Sequence, residues 1–216
     1  MAKQLSFEIN THGGKRKGAG RKKSRKHELP HVARARVDER TPIHLNVKLH
    51  HGLPNLRTKS FLRSFHRALR RANEKGLRVQ QFAVEANHLH LIGEADDNDA
   101  LARGVASLEA SIVWALRKIY GYFGRVFRSR YHLHALRSPG EVRNALRYVL
   151  FNHAKHTGQR AFADVFSSIF EFTEIALLIA GFQTPRRPDW LFQISVGLVP
   201  ARSWLQTVGW KRARRP

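Results

Sequence analysis

The middle of the chain alternates between strand-like and helix-like patterns of apolar residues. Apolar side chains at every second position from Ile43 to Leu49 predict a half-buried strand. Apolar side chains three and four positions apart from Phe61 to Ala72, followed by Gly76, predict an amphipathic helix. The same patterns predict strands over 79–86 and 88–93 and a long helix over 101–119 that ends at Gly121.

The order β-α-β-β-α predicts an α+β fold. An extended segment over 125–136 adds a fourth strand or an extended arm, and Pro139-Gly140 leads into a helix over 141–156. We expect a ferredoxin-like antiparallel sheet with helices on one face.

The length and the local composition predict three segments. Residues 1–40 are rich in glycine and cationic residues with little to bury, which predicts a flexible basic arm. That arm is either a solubilising tail or a DNA-tracking arm. Residues 41–157 carry the regular patterns and form the main domain, since 216 residues provide for one sizeable domain with tails. Residues 158–216 form a C-terminal extension, mostly helical and basic at its end.

The charge balance indicates a nucleic-acid partner. Lys and Arg number 39 against 16 Asp and Glu, a formal net charge of +23. Such an excess favours nucleic acid, and less strongly an anionic membrane surface. The chain has no cysteine, which excludes disulfides and thiolate sites. No secretion signal is apparent and the longest apolar stretch, 175–180, is too short to span a bilayer, so a cytoplasmic protein with no membrane partner is expected.

Two histidines in the third predicted strand form a candidate metal clamp. His88 and His90 flank Leu89, and side chains on a strand alternate between the two faces. Both imidazoles therefore project to one side, while Leu89 and Leu91 anchor the strand in the core. Tyr148 and Asn152, four residues apart in the last predicted helix, share one face of that helix. If that face meets the clamp, a tyrosine nucleophile and a third ligand lie beside a metal.

These motifs resemble the single-tyrosine HUH transposases of the insertion-sequence type, in particular the REP-associated tyrosine transposases of bacteria. The resemblance covers about residues 42–157, through His88-Leu89-His90 and the segment Arg147-Tyr148-Val149-Leu150-Phe151-Asn152. Two positions depart from the family pattern. His153 follows Asn152 where the family has proline, and Glu85-Ala86 precede the clamp where the family often has a small apolar residue or proline.

The resemblance implies a metal-dependent endonuclease and strand transferase for single-stranded DNA. Tyr148 would be the nucleophile that forms a covalent 5′-phosphotyrosine, with His88, His90 and Asn152 as metal ligands. The metal implied is Mg²⁺ or Mn²⁺, although imidazole ligands by themselves suit zinc, iron, copper or nickel. The implied partner is single-stranded DNA with hairpin or palindromic elements, bound by a monomer or homodimer in the bacterial cytoplasm near the nucleoid.

A second His-x-His motif precedes the tyrosine helix. Tyr131-His132-Leu133-His134 lies in the extended segment, where it either lines the DNA groove as a strand edge or donates a ligand or phosphate contact. We prefer the first clamp, because it lies in the third predicted strand after a tight turn and is followed by a tyrosine in a predicted helix. In addition, Tyr131 points away from any metal held by His132 on the same strand. Tyr120 and Tyr122, at a helix end, are interpreted as packing residues.

Cationic side chains near the motifs are the candidates for phosphate contacts. The candidates comprise a set beside the clamp and a set in the basic arm: Arg125, Arg128, Arg130 and Lys155, then Lys15, Arg16, Lys17, Arg21, Lys22 and Lys23. Arginines of the first helix, such as Arg67, contact DNA or only form a solvated face. Phe127 and Trp210 stack on bases or pack in the core. The alternative function is a non-catalytic nucleic-acid-binding protein or a degenerate transposase.

Overall fold

A four-stranded antiparallel sheet forms the centre of the computed structural model, which describes residues 35–156, 163–172 and 186–213. The strands are paired in the order β2-β3-β1-β4. With two helices between strands, this order confirms the ferredoxin-like prediction. The bounds are β1 (Ile43–Lys48), α1 (Lys59–Glu74), β2 (Arg78–Val84), β3 (His88–Glu94), α2 (Asn98–Tyr120), β4 (His132–Ala135) and α3 (Pro139–His156).

The first two helices cover one face of the sheet. Alternate residues of β1 and β3, such as Leu45 and Leu91, join Phe65 of α1 and Leu108 of α2 in the larger core cluster. The third helix packs against the opposite face, where Val149 joins a smaller cluster described below. Apolar side chains at every second strand position therefore face α1 and α2, and the side chains between them point to the opposite face of the sheet.

Side-chain caps set the ends of the helices. Thr58 accepts from the amide of Phe61 at the start of α1, and Asp97 accepts from the amide of Ala100 at the start of α2. At α3, Ser138 and Glu141 form a capping box: Glu141 N–H donates to the Ser138 hydroxyl, and Ser138 N–H donates to the Glu141 carboxylate. This cap fixes the start of the helix that carries Tyr148.

The smaller core cluster forms between α3, the sheet and the C-terminal region. It includes Ala83 and Ile92 of the sheet, Leu146 of α3, Ile169 and Trp210. Trp210 is only 2% exposed, so its packing role is supported and base stacking is excluded in this arrangement. The described parts of residues 158–216 contain short helical segments: Ser168–Glu171, Asp189–Phe192, Leu205–Gly209 and Trp210–Arg212.

The C-terminal region also covers the β2 edge of the sheet. The amide of Val84 donates to Phe166 O, and the amide of Val199 donates to Val79 O. The buried carboxylate of Glu94 accepts from the amides of Arg202 and Ser203. The first two bonds satisfy backbone groups that an edge strand would otherwise expose, and the Glu94 carboxylate attaches residues 202–203 to β3.

The folded part begins before the predicted boundary at residue 40. Val37 is 2% exposed within the larger core cluster, and its amide donates to the side chain of Asn98 at 2.8 Å. Among the described helices, none combines the length and the apolar character needed to cross a membrane.

His66 makes the stability of the fold sensitive to acid. Its imidazole is buried in α1 and Nδ1 accepts from the amide of Gly197. Burial, followed by the charges of Arg70 and Arg187, lowers the pKa of His66 to about 4. The unfolded chain therefore takes up a proton near pH 6.5 that the folded chain takes up only near pH 4, so stability present above pH 6.5 is lost as the pH falls.

We expect the free energy of unfolding to fall by an amount on the order of 3 kcal/mol between pH 7.5 and pH 4 from this group. Urea unfolding at several pH values measures it. The variant His66→Gln, which cannot titrate, should lose less stability over the same interval. An identical loss in the variant would contradict the assignment to His66.

Candidate active site

Histidines from three strands line the face of the sheet opposite α1 and α2. In the strand register, residues paired across neighbouring strands lie side by side on the same face. One row joins His90, Asn46 and His132, and the next joins His44 and His134. His88 lies beside Lys48 at the end of the ladder. The two His-x-His motifs of the sequence therefore share one face of the sheet.

Tyr148 of α3 lies directly against this face. Its ring meets the ring of His90 edge-on, with centroids 5.0 Å apart, and that of His44 with centroids 5.9 Å apart. The rings of His88 and His90 are themselves 4.8 Å apart. Tyr148 is 37% exposed, so the residue is accessible from solvent. The structure thus brings the tyrosine and both histidines of the predicted clamp together.

A hydrogen bond between two imidazoles orients His90. His44 Nε2 and His90 Nδ1 are 3.3 Å apart. Burial, followed by the charges of His134 and His132, lowers the pKa of His44 to about 4, so His44 is a neutral imidazole at pH 7. Where His44 Nε2 accepts the hydrogen bond from His90 Nδ1–H, His90 is the tautomer with its lone pair on Nε2. A similar contact joins His88 Nδ1 to Asn87 Oδ1 at 3.0 Å.

Glu85 orients the third predicted ligand. The buried amide of Asn152 donates through Nδ2 to Glu85 Oε1 at 2.8 Å, and Glu85 Oε2 lies 3.4 Å from His153 Nδ1. The opposite atom of the amide, Asn152 Oδ1, is buried and has no hydrogen-bond partner within the described residues. A buried oxygen of this kind normally has a partner, so a ligand such as a cation would satisfy it.

The donor set is compatible with a divalent cation. The cation would be held by His88, His90 and Asn152. The observation that fits this assignment is the buried Asn152 Oδ1, which has no hydrogen-bond partner within the described residues. No group of three His, Cys, Asp or Glu side chains suited to a metal occurs among the described residues. The candidate set therefore needs an amide oxygen as its third donor, and its metal identity stays a prediction.

The environment of Tyr148 keeps its phenol protonated. Burial and then the negative charge of Glu85 raise the pKa of Tyr148 above its usual value. A raised pKa makes the phenol a weak nucleophile by itself, because the phenoxide is the reactive form. Nucleophilic chemistry at Tyr148 would therefore require positive charge beside its oxygen.

The loop before β4 carries three of the predicted phosphate contacts. Arg128 and Arg130 are exposed. Arg125 is also exposed, but its guanidinium donates to the carbonyls of Phe127 and Arg128 and so holds the loop together. Lys155 belongs to α3, but its side chain lies outside the described part, as do Lys15, Arg16, Lys17, Arg21, Lys22 and Lys23. These phosphate contacts remain predictions.

Other candidate residues have structural contacts. Tyr131 is 7% exposed in the larger core cluster, which lies across the sheet from His132. The Tyr120 hydroxyl lies 2.8 Å from the Thr58 hydroxyl, and the Tyr122 hydroxyl donates to Arg125 O. Phe127 packs against the larger core. Both tyrosines at the end of α2 thus have the packing role predicted.

The arginines of α1 lie on the other side of the sheet from Tyr148. Arg63, Arg67 and Arg71 are exposed, as in a solvated helix face. Arg70 instead donates to Ser195 O and so helps to attach the C-terminal region.

Sequence patterns did not reveal Glu85 and His44 as site residues. In the sequence, Glu85 is only a departure from the family pattern. In the structure, its carboxylate contacts both Asn152 and His153. His44 occupies a polar position in β1, but the strand register that brings it to His90 joins residues 46 positions apart. Its position on the sheet face was readable from the sequence, whereas its partner was not.

The fold is shared with a solved transposase structure. A structure of a REP-associated tyrosine transposase bound to a REP hairpin matches at a TM-score of 0.55 and 16% identity, over 74% of this chain and 99% of that chain. Two structures of a bacterial tRNA(His) guanylyltransferase-like protein match more weakly. The GTP complex has a TM-score of 0.41 and 12% identity, over 57% of this chain and 67% of that chain. The ATP complex has a TM-score of 0.43 and 11% identity, over 73% and 78%.

No protein-family model matches the sequence, and no curated protein matches it either. At 16% identity, the similarity to the transposase structure establishes a common fold. Function must therefore be argued from the residues of this chain.

The contact between Glu85 and Asn152 leads to a prediction. Glu85→Leu removes the acceptor of a buried amide, so we expect a loss of roughly 1–3 kcal/mol in stability and about tenfold weaker Mn²⁺ binding. Glu85→Gln keeps an acceptor oxygen and should retain most of the stability and most of the Mn²⁺ affinity. Urea unfolding and calorimetric titration with Mn²⁺ measure the two effects. Equal Mn²⁺ affinity in all three proteins would show that Glu85 does not orient a ligand.

Proposed function

We propose that this chain is a metal-dependent endonuclease and strand transferase for single-stranded DNA, acting through a covalent 5′-phosphotyrosine. The observation that carries this proposal is the ring of Tyr148 packed against His90 and His44, on the same face as His88. The unpartnered Asn152 oxygen supports a third ligand on α3. The net charge of +23 supports a polyanionic substrate.

The substrate assignment draws on the transposase whose fold is shared. That protein is bound to a REP hairpin, so we propose single-stranded DNA with hairpin or palindromic elements for this chain. The proposal implies DNA transposition or recombination in a bacterial cytoplasm, near the nucleoid. A monomer and a homodimer are both compatible with it, since Tyr148 lies against His90 within a single chain.

In the proposed reaction, the Tyr148 oxygen attacks the scissile phosphorus. The phenol loses its proton, a new P–O bond forms to tyrosine, and the bond to the leaving 3′ oxygen breaks. The leaving oxygen takes up a proton and becomes a 3′ hydroxyl, which can later attack the phosphotyrosine and restore a phosphodiester. A bound Mg²⁺ or Mn²⁺ would neutralise phosphate charge and favour the phenoxide.

The residues of the chain have separate roles in this scheme. His88 and His90 supply ring nitrogens, and His44 holds His90 in the tautomer that offers Nε2. Glu85 holds the amide of Asn152 with its oxygen directed away from the carboxylate. Because one ester is exchanged for another, cutting and rejoining need no external energy source.

A non-catalytic nucleic-acid-binding protein is the second candidate. The net charge of +23 favours it, because positive charge binds a polyanion without a metal or a nucleophile. Incubation of the wild-type protein with labelled hairpin-flanked single strands and Mn²⁺ separates the two candidates. The enzyme forms an adduct that survives a denaturing gel and disappears with EDTA. A binding protein shifts the DNA on a native gel and forms no adduct.

A further inference from the structure

The second His-x-His motif is not used by the proposed chemistry, although it lies beside it. His132 and His134 are both exposed on β4. The strand register places them next to Asn46 and His44 of β1. His44 in turn contacts both His90 and Tyr148. The two imidazoles therefore continue the row of site residues from Tyr148 toward the end of the sheet.

In the part of the chain that the structure describes, strand β4 is the open edge of the sheet. The opposite edge, β2, is covered: the amides of Val84 and Phe82 donate to Phe166 O and to the Ser168 hydroxyl, and Val79 O accepts from the amide of Val199. For β4, the described residues provide a ladder partner on one side only, which is β1. An extended chain can therefore reach the Tyr148 face across β4 more directly than across β2.

The electrostatic character of this edge suits a polyanion. Segments 43–53 and 121–137 contain no Asp or Glu. Lys48, Arg128, Arg130 and Arg137 are exposed in or beside the two strands.

We propose that the DNA strand reaches Tyr148 across the β4 edge, and that His132 and His134 bind phosphates next to the scissile phosphate. Each imidazole carries an N–H that can donate to a phosphate oxygen. Contacts of this kind position a strand without reading its sequence. This inference deepens the proposed function by giving the substrate a path, and it is tested by binding alone.

The test uses the Tyr148→Phe protein as parent, in EDTA, so that neither cleavage nor a cation contributes. His132→Ala and His134→Ala are introduced together, and the affinity for single-stranded DNA is measured by fluorescence anisotropy. We expect about tenfold weaker binding, as for the loss of roughly 1.4 kcal/mol. A matched control, Arg63→Ala with Arg67→Ala, removes two charges from the α1 surface across the sheet and should weaken binding less.

Oligonucleotides with single uncharged methylphosphonates identify the contacts. Substitution at one or two phosphates should weaken binding to the parent but have little further effect in the double variant, since the partner imidazoles are already absent. Unchanged affinity, or the same methylphosphonate pattern in both proteins, would overturn the proposal. So would lost Mn²⁺ binding in the double variant, which would make these imidazoles metal ligands. A wild-type protein that binds DNA this way but forms no adduct would refute the chemistry alone.

Discussion

Tyr148→Phe is expected to abolish the covalent protein–DNA adduct while leaving DNA binding nearly intact. Phenylalanine keeps the ring that packs against His90 and His44 and removes only the attacking oxygen. Loss of a nucleophile typically lowers the rate by at least on the order of 10³-fold. A denaturing gel with labelled single-stranded DNA and Mn²⁺ measures the adduct, and fluorescence anisotropy measures the binding.

Tyr131→Phe is the matched control for this experiment. Tyr131 lies beside the second His-x-His motif but is buried in the core across the sheet. Its variant should form the adduct at a rate close to that of the wild type. If Tyr131→Phe removed the adduct and Tyr148→Phe did not, the nucleophile would be misassigned. Adducts in both variants would point to a different residue altogether.

Replacement of His88 and His90 by alanine is expected to remove the metal site. With both ring nitrogens gone, we expect Mn²⁺ affinity to fall by about 100-fold or more. The adduct should disappear with it, because the raised pKa of Tyr148 leaves a protonated phenol without nearby positive charge. Calorimetry measures the Mn²⁺ affinity, and the denaturing gel measures the adduct. EDTA should abolish the adduct of the wild type in the same way.

His132→Ala with His134→Ala provides a control of the same residue type and spacing on the same face of the sheet. This pair should bind Mn²⁺ like the wild type. Equal losses of Mn²⁺ affinity in the two double variants would show that the cation is shared between both motifs. Full Mn²⁺ affinity in the protein that carries both His88→Ala and His90→Ala would exclude these two histidines as ligands and place the metal elsewhere.

The two His-x-His motifs lie on one face of a four-stranded sheet, and the core of the fold is formed mainly on the other face. Residues such as Leu45 and Leu89 bury one face against α1 and α2 and provide most of the core. The opposite face is only partly covered by α3, so that Tyr148, His132 and His134 are exposed there, whereas His90 is 1% exposed. A fold stabilised mainly from one side can thus keep polar chemistry on the other.

The sequence by itself determined the elements and the direction of their side chains. The alternation in β1 and β3 placed His88 and His90 on one face, and the helical spacing placed Tyr148 and Asn152 together. The extended segment predicted over 125–136 is a regular strand over His132–Ala135, and before it the amide of Arg128 donates to Lys48 O and Val126 O accepts from the amide of His50. Local periodicity suffices for these assignments because it depends on neighbouring residues.

Only the tertiary structure decided which of these faces meet. The pairing of β4 with β1, the hydrogen bond from Asn152 to Glu85 and the contact of His44 with His90 join residues far apart in the chain. Such pairings follow from burial of the whole core and from the order of strands in the sheet, which local spacing does not encode. For this reason the second His-x-His motif looked separate in the sequence and lies beside the tyrosine in the fold.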